Sequence, residues 1–299
     1  MEIRMLRYFL TVAREQSITK AAEVLHITQP TLSRQLAQME AEMGVKLFSR
    51  ESHRLSLTGE GFLLRRRAEE ILELVDKTEK ELAEQEEAVE GTVSVGCGDL
   101  GAVQILPALF RDFHERYPAV TFELYTATAD YVKERMERGL TDIGLLMEPI
   151  DMERLDFIRL NRRERWVVAM HPDSPLAQKD RVTAQDLKDV PLILPYRRNV
   201  QSELANWFGD CYESLNVLFT SNLPAAGSVM VYSRLAYLLM IEGTGMLWDK
   251  EKLICRPLYP ELTATSVLAW KRQQPFTPAA ARFIAYMREA IGAEAGERR

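Results

Sequence analysis

The residues best suited to contact another molecule lie near the amino terminus, on one face of a predicted helix. This face is polar and contains no acidic residue from position 28 to position 39. Gln29 and Arg34 can each place paired hydrogen bonds on a base edge in the major groove. Thr31 and Ser33 are short groups suited to phosphates or to a thymine methyl. The pattern favours DNA binding, although a solvated amphipathic helix is the plainer alternative.

Two short helices joined by a tight turn must position these side chains. Ser17 and Thr28 are good N-caps, because a hydroxyl accepts hydrogen bonds from the unpaired amides of a first helical turn. Pro30 falls in the first turn of the second helix, where its missing N–H costs nothing. Small Ala21 and Ala22 let the helices cross closely, as a helix-turn-helix over residues 18–37 requires. Apolar positions at helical spacing predict buried faces in a preceding helix and in the second one: Ile3, Leu6, Phe9, Leu10 and Ala13, then Leu32, Leu36 and Met39.

A dense pattern over the first sixty residues carries a resemblance to a known family. It comprises Phe9, Val12, Ala13, Ser17, Ala21, Ala22, Leu25, Gln29, Pro30, Thr31, Leu32, Ser33, Glu40, Gly44, Leu47, Phe48, Arg50, Leu57, Thr58 and Gly61. On these residues the sequence resembles the LysR-type transcriptional regulators. The resemblance implies an N-terminal all-α winged helix-turn-helix over residues 1–57, whose DNA-binding residues include Thr28, Gln29, Pro30, Thr31, Ser33 and Arg34.

Residues 49–57 alternate like a small hairpin and predict the wing. Arg50 and Arg54 point outward in this pattern, and an arginine at a wing tip can enter the narrow, negative minor groove. The family usually has another basic residue where His53 stands, and a histidine is mostly neutral at pH 7. We expect all three residues to lie near DNA.

The distribution of charge agrees with this assignment. The whole chain of 299 residues has a formal net charge of −6, which by itself argues weakly against DNA binding. Residues 1–57 carry eight lysines and arginines against six acidic residues, whereas residues 58–91 carry five against eleven. The amino-terminal segment is therefore the net-positive part, and Arg65, Arg66 and Arg67 extend it.

Residues 58–89 predict one long helix that joins two copies of the chain. Positions alternating by four and three form the seam of a left-handed coiled coil: Leu64, Ala68, Ile71, Val75, Thr78, Leu82, Gln85 and Val89. A lone charged helix in water is the alternative. A dimer is also what a two-fold DNA site needs, since two recognition helices must reach successive major grooves.

After Gly91 the chain alternates between strands and helices, which predicts parallel sheets with helices on their faces. We expect a two-lobed α/β domain, with lobe I formed by residues 91–161 and 269–299 and lobe II by residues 162–268. The crossings between lobes are predicted near residues 160–163 and 269–272. The regulatory domain of the LysR family, shaped like a periplasmic binding protein, is similar to this arrangement.

A ligand in open α/β sheets binds beyond the carboxyl ends of the strands. This rule selects a set of candidate effector-binding residues: Gly98, Asp99, Thr126, Thr128, Met147, Gln201, Ser202 and Asn222. Helix starts with hydroxyl groups favour an anion, but the family typically has Ser or Thr where Asp99 stands. Asp99 either caps the next helix or selects an amine or hydroxyl group of a ligand.

Other functional classes receive less support. The four histidines are scattered, and the motifs of hydrolases, Walker nucleotide sites and metal sites are missing from the sequence, so we expect neither an enzyme nor a metal or cofactor. Cys97, Cys211 and Cys255 are far apart; buried structural thiols are expected, and a redox switch between Cys211 and Cys255 stays open. A solute-binding protein would fit the cleft alone.

The sequence thus predicts a ligand-responsive LysR-type regulator, cytoplasmic and without a membrane span. Its expected partners are double-stranded DNA, a small-molecule effector, further copies of itself in a homodimer or homotetramer, and RNA polymerase.

Overall fold

The computed structural model describes residues 2–51, 54–83, 89–249 and 251–297. The chain divides into two compact units, Met1–Ala83 and Glu84–Arg299. Each unit has its own hydrophobic core. Among the described residues, no helix is both long and apolar enough to cross a membrane.

The amino-terminal unit consists of four helices and a two-stranded wing. In chain order its elements are α1 (Ile3–Glu15), α2 (Ile18–Val24), α3 (Gln29–Met43), β1 (Phe48–Glu51), β2 (Arg54–Leu57) and α4 (Gly59–Ala83). The predicted caps are confirmed: the Ser17 side chain accepts from the amide of Lys20, and Thr28 accepts from that of Thr31. Gly44 ends α3 in the left-handed conformation, with φ of 69°.

The core of this unit lies between α1, α2, α3 and the first turns of α4. Leu32, Leu36 and Met39 face it, as predicted. The prediction for Ile3 was wrong, because that side chain is 47% exposed. Ile3 lies in the first turn of α1, before the buried stripe begins, and so remains in contact with solvent. The buried residues of α1 are Met5, Leu6, Phe9 and Val12.

Helix α4 differs from the predicted coiled-coil helix in length and in the use of its apolar face. Residues 89 and 90 are not helical, so the helix does not extend to Val89, and Gln85 lies outside the described residues. Ala68 is fully buried in the core of the amino-terminal unit, and Leu64 packs against that core. Ile71, by contrast, is 37% exposed. The predicted seam is thus divided between an inner part and a solvent-facing part.

The second unit is built on one nine-stranded sheet. Its elements are β3 (Gly91–Cys97), α5 (Leu106–Arg116), β4 (Val120–Thr126), α6 (Ala129–Glu137), β5 (Ile143–Met147), β6 (Leu155–Met170), α7 (Ala184–Leu187), β7 (Leu192–Pro195), α8 (Arg198–Phe208), β8 (Val217–Ser221), α9 (Pro224–Tyr232), β9 (Tyr237–Ile241), β10 (Ile254–Pro257), β11 (Thr263–Lys271) and α10 (Pro278–Glu297). The strand order is β4-β3-β5-β11-β6-β9-β7-β8, with β10 paired to β6.

The sheet is mixed, which corrects the expectation of purely parallel sheets. Strand β3 pairs parallel with β4 and β5, and β7 pairs parallel with β8 and β9. The long strands β6 and β11 run antiparallel to each other, and β11 is also antiparallel to β5. These two strands join the parallel halves because one carries the chain into lobe II and the other brings it back.

The crossings between the lobes lie close to one predicted position and away from the other. Strand β6 pairs with β11 up to Arg165 and with β9 from Trp166 onward, so the chain enters lobe II there. On the return, Thr263 pairs with Arg165, whereas Lys271 pairs with Leu155. The return crossing is therefore near Thr263, and the prediction of residues 269–272 was wrong. That segment pairs within lobe I because β11 runs back along the first part of β6.

Each lobe has a packed apolar core. Lobe I buries a set that includes Val93, Val95, Leu106, Phe113, Ile143, Leu145, Trp270 and Phe283. Lobe II buries a set that includes Trp166, Val168, Leu187, Leu192, Leu194, Val200, Leu204 and Leu239. Two separate cores joined by two strands are the arrangement in which a cleft can form between lobes.

Candidate functional site

The polar face of α3 presents the residues predicted to contact DNA. Thr28, Gln29, Pro30 and Arg34 are exposed, while Thr31 and Ser33 are half-buried. The first turn contains no acidic residue, so the partial positive charge of the helix start is not offset locally. The structure therefore places these six side chains at and just after the amino-terminal end of one helix.

Short hydrogen bonds organise this surface. The hydroxyl groups of Thr28 and Thr31 lie 2.8 Å apart. Gln29 donates from Nε2 to the Ser33 hydroxyl at 2.9 Å, one turn further along. Among the described residues, Arg34 forms neither an ion pair nor a hydrogen bond. An exposed guanidinium without a protein partner is available to a base edge or a phosphate.

The wing forms as predicted, with Phe48 opposite Leu57 and Arg50 opposite Leu55 in an antiparallel pair. His53 lies outside the described residues, and so do the side chains of Arg50 and Arg54. The Ser49 and Ser56 hydroxyls are 2.8 Å apart across the hairpin.

Glu40 connects α3 to the start of the wing. Its Oε1 accepts from the amides of Leu47 at 2.9 Å and Phe48 at 3.3 Å, and its Oε2 lies 2.5 Å from Lys46 Nζ. Burial raises the pKa of this carboxyl, but the hydrogen bonds from Lys46 and the two amides outweigh burial and hold the pKa below its usual value. Glu40 thus attaches the start of the wing to α3.

Thr58 and Gly61 attach the other end of the wing to α4. The Thr58 hydroxyl donates to the carbonyl of Lys46 at 2.6 Å and accepts from the amide of Gly61 at 3.0 Å. A Cβ at Gly61 would lie 2.2 Å from the carbonyl oxygen of Leu47. Only glycine allows this close approach of the helix to the segment that precedes the wing.

In the second unit, a cleft lies between the lobes and is open to solvent. It brings together five of the eight residues predicted to bind an effector: Gly98, Asp99, Thr128, Met147 and Asn222. The rest of the wall is mainly apolar and includes Leu100, Ala129, Leu145, Trp166, Leu194, Val200 and Leu239.

The other three predicted effector residues lie elsewhere. Gln201 lines an adjoining surface hollow and donates to the carbonyl of Pro195 at 2.9 Å. Ser202 is exposed and donates to the carbonyl of Arg198. Thr126 ends β4, and its hydroxyl forms a hydrogen bond with the Cys97 thiol. These side chains are engaged by the protein itself and do not line the cleft.

Glu164 occupies the position that Asp99 was expected to take as a cap. It is 2% exposed, and its carboxylate accepts from the amides of Gly101 at 3.0 Å and Ala102 at 2.7 Å. It also accepts from the Ser266 hydroxyl on β11 at 3.0 Å. The amides after β3 are therefore used by a residue of β6.

Asp99 consequently has no capping role. Among the described residues, no group donates to its carboxylate, and burial alone raises its pKa. Thr128 is 5% exposed, and its hydroxyl does not cap α6 either. The indole N–H of Trp166, another residue of the wall, is buried and without a partner in the described structure.

Arg197 connects the two lobes at the edge of the cleft. It precedes α8, is 7% exposed, and contacts Asp130 on α6 through Nε at 2.9 Å and Nη2 at 3.0 Å. It also donates to the carbonyls of Met147 at 3.3 Å and Pro149 at 2.9 Å. Sequence reasoning missed Arg197, although it follows the carboxyl end of β7, where the strand-end rule would have found it.

Two glycines allow the lobes to meet near the crossing strands. A Cβ at Gly243 would lie 2.0 Å from the Cα of Gly101, and a Cβ at Gly101 would lie 2.7 Å from Glu164 Oε2. Backbone therefore contacts backbone at this point, without room for a side chain.

Three free thiols are present, and they differ in environment. Burial and the nearby Glu242 carboxylate raise the pKa of Cys255 to about 11, against a smaller opposing effect of Arg256. A thiol with so high a pKa is a poor nucleophile at neutral pH. Cys211 lies near Gln185, with its sulfur 3.8 Å from the amide oxygen. In the described part of the chain, no group of His, Cys, Asp and Glu side chains is arranged to hold a metal.

Comparison with known proteins identifies both units. The family model "Bacterial regulatory helix-turn-helix protein, lysR family" matches residues 3–62, and the model "LysR substrate binding domain" matches residues 86–292. The chain is 34% identical to the HTH-type transcriptional regulator BenM of Acinetobacter baylyi over 70% of each chain. It is 28% identical to the Hca operon transcriptional activator HcaR of Escherichia coli over 97% of this chain and 98% of HcaR.

Solved structures show the same fold. The crystal structure of CbnR, a LysR family transcriptional regulator, covers 97% of this chain and 99% of its own with a TM-score of 0.74 at 24% identity. Full-length BenM covers 100% of this chain and 98% of its own with a TM-score of 0.53 at 28% identity. The two family models together span almost the whole sequence, and the chain belongs to the LysR family of bacterial helix-turn-helix transcriptional regulators.

Proposed function

We propose that this LysR-family regulator binds a two-fold site on double-stranded DNA and changes its action when a small molecule occupies the cleft. In this proposal residues 1–57 bind DNA, residues 58–90 join two copies, and the two lobes bind the effector. Gln29, Thr31 and Arg34 read base edges, Ser33 holds a phosphate, and the wing residues Arg50, His53 and Arg54 lie near the minor groove.

The main observation behind the proposal is that Arg34 is exposed and has no ion-pair or hydrogen-bond partner among the described residues. Other arginines of the same unit are paired with acids: Arg65 with Glu69 at 3.0 Å, and Arg67 with Glu70 at 2.9 Å. The expectation that the arginines at 65–67 extend the positive surface is therefore weakened, because two of the three are neutralised within α4. Arg34, on the face without acidic residues, keeps its charge for a partner.

A solved relative supports DNA as that partner. CbnR, which has the same fold, has been crystallised with its target DNA at a TM-score of 0.72 to this chain. Because Gln29 donates to Ser33 in the free protein, binding to a base edge exchanges this internal hydrogen bond for one to DNA, so its net contribution is smaller than that of Arg34.

Exposed apolar side chains support assembly into a homodimer or homotetramer. On α4, Phe62 is 61%, Leu63 is 55% and Leu74 is 42% exposed. At one edge of the large sheet, β8 exposes Val217, Leu218 and Phe219 together. An unpaired apolar edge strand tends to be covered by another chain. RNA polymerase is a further partner in this proposal, as regulation of transcription implies.

The effector acts, in this proposal, by shifting the population of lobe arrangements. The contacts of Arg197 with Asp130 hold the lobes together in the free protein. A ligand that binds one arrangement better than another changes the balance between them, and thereby the spacing of the DNA-binding units in the assembly.

The proposal is tested by footprinting the purified full-length chain on the DNA upstream of its own gene, with and without a metabolite extract. We expect protection of a two-fold site, altered by the extract. Protection that the extract does not change would contradict the effector part. If the folded protein protects no DNA, the regulator assignment fails and solute binding becomes the better account of the cleft.

A further inference from the structure

The cleft contains a carboxylate that the protein leaves without a partner. Asp99 lines the wall, and among the described residues no donor reaches its oxygens. Buried and half-buried carboxylates are normally hydrogen-bonded, because removing them from water without compensation costs free energy. Burial accordingly raises the pKa of Asp99, and no basic side chain opposes the effect. A ligand that displaces solvent from the cleft must therefore supply a donor to Asp99.

Some of the groups that could bind an anionic ligand are already used. The amides of Gly101 and Ala102, after β3, donate to Glu164. A carboxylate ligand would therefore find these two amides already paired with a protein carboxylate.

The guanidinium in the wall is committed as well. Arg197 donates two hydrogen bonds to the carboxylate of Asp130 and others to the carbonyls of Met147 and Pro149. Its charge is balanced by Asp130, so the remaining formal charge of the cleft wall is that of Asp99. The unbalanced formal charge of the cleft wall is thus negative, which favours hydrogen-bond donors over anions.

We propose that the cleft takes a small, mostly apolar molecule with an amino or hydroxyl group that donates to Asp99, and that it discriminates against carboxylates. This inference rests on the proposed effector function and specifies the chemistry of that site. The apolar wall, with Leu100, Met147 and Trp166, surrounds the body of the ligand. The Thr128 hydroxyl, which caps nothing, provides a second polar contact.

The test uses three probes that share one apolar body: benzylamine, benzyl alcohol and benzoate. Each is titrated calorimetrically into the full-length chain in the absence of DNA. We expect the dissociation constants of benzylamine and benzyl alcohol to be lower than that of benzoate by roughly 10-fold or more. A difference of this size is the usual effect of one hydrogen bond to a charged group. Tighter binding of the amine than of the alcohol would identify an ammonium ligand, and similar binding an uncharged donor; both support the proposal.

Variants of the carboxylate provide the control. In Asp99→Ser and Asp99→Asn the preference over benzoate should disappear, whereas Asp189→Asn, on an exposed loop of lobe II, should leave it unchanged. A preference that persists without the carboxylate, tightest binding of benzoate, or binding of none of the probes would each overturn the inference. Because no DNA is present, these results are independent of the footprint that tests DNA binding.

Discussion

Two acidic side chains near the cleft show how environment decides the role of a residue. Glu164 is almost fully buried, and three donors compensate its carboxylate. Asp99 is only half-buried, yet its carboxylate has no donor among the described residues. The first stabilises the fold around the crossing strands. The second costs stability, and such costs are characteristic of binding sites.

This difference predicts that Asp99→Asn stabilises the protein. Because burial raises the pKa of Asp99 in the folded state, ionisation of its carboxyl group at neutral pH lowers the free energy of unfolding, and the uncharged amide removes this penalty. We expect a gain of less than about 1 kcal/mol at pH 7, since the carboxylate is partly solvated. The gain should vanish as the pH falls below the usual aspartate range. Urea unfolding at several pH values measures it.

Asp186→Asn is the matched control with the opposite sign. Hydrogen bonds from Lys179 and Thr183 outweigh burial and lower the pKa of Asp186. Its carboxylate stabilises the folded state at neutral pH, and this contribution is lost as the pH falls through the lowered pKa. Destabilisation by both substitutions at pH 7 would contradict the account given for Asp99.

We expect Arg34 to contribute to the affinity of the protein for its specific DNA site. Arg34→Ala should weaken binding to the specific site by roughly 1–3 kcal/mol, the usual effect of losing a base contact. Arg14→Ala is the control, because Arg14 pairs with Glu15 on α1 and lies away from α3 in sequence. Competition binding assays with specific and random DNA separate the two effects. Equal affinity of Arg34→Ala and wild type for the specific site would remove Arg34 from the interface.

At the scale of elements, the recognition helix, the wing and α4 are held in register by a few polar contacts. Glu40 binds the amides at the start of β1, and Thr58 binds the carbonyl of Lys46 while capping α4. Gly61 permits the close approach of α4 to Leu47. These are positions that the family resemblance singles out, and the structure gives each a physical reason.

Glu40→Gln should therefore destabilise the amino-terminal unit by about 1 kcal/mol at pH 7, because a neutral amide keeps a weaker hydrogen bond and loses Lys46. In the wild type this contribution is present above the usual glutamate pKa and is lost as the pH falls through the lowered pKa. Glu42→Gln, exposed on the same helix, should change stability little. Similar losses for the two variants in urea unfolding would refute the anchoring role of Glu40.

Local elements could be predicted from the sequence better than pairings between distant ones. The caps at Ser17, Thr28 and Gly44 depend on residues within a few positions, so sequence suffices for them. The pairing of β6 with β11 joins residues about a hundred positions apart, such as Glu164 and Ser266. An apolar strand has the same pattern whether it pairs parallel or antiparallel, which is why the mixed sheet was not foreseen.

The cleft also contains residues that local sequence can predict and one that it cannot. Gly98, Asp99, Thr128, Met147 and Asn222 meet there because each follows or ends a strand or precedes a helix at one edge of the sheet. Glu164 could not be found in this way. It stands between Arg163 and Arg165, and a charged run in a strand is typical of an exposed surface.

At the scale of the whole molecule, the apolar edge of the large sheet carries a prediction about assembly. Phe219, 40% exposed on β8, should contribute to contacts between copies. Phe219→Glu should shift the chain toward smaller assemblies in sedimentation velocity, by roughly 10-fold or more in the dissociation constant. Val229→Glu, at a 52% exposed site on α9, is the control. An unchanged distribution for Phe219→Glu would exclude this edge from the interface.

The contact of Gly101 with Gly243 has a genetic consequence. Because bare backbones touch there, the angle between the lobes is limited by hard contact rather than by a side chain that could adapt. Even one added methyl group at either glycine would push the two backbone segments apart and change the angle between the lobes. A selection for regulators that respond without any inducer should therefore return substitutions at these two positions, far from one another in the gene, and even alanine should suffice.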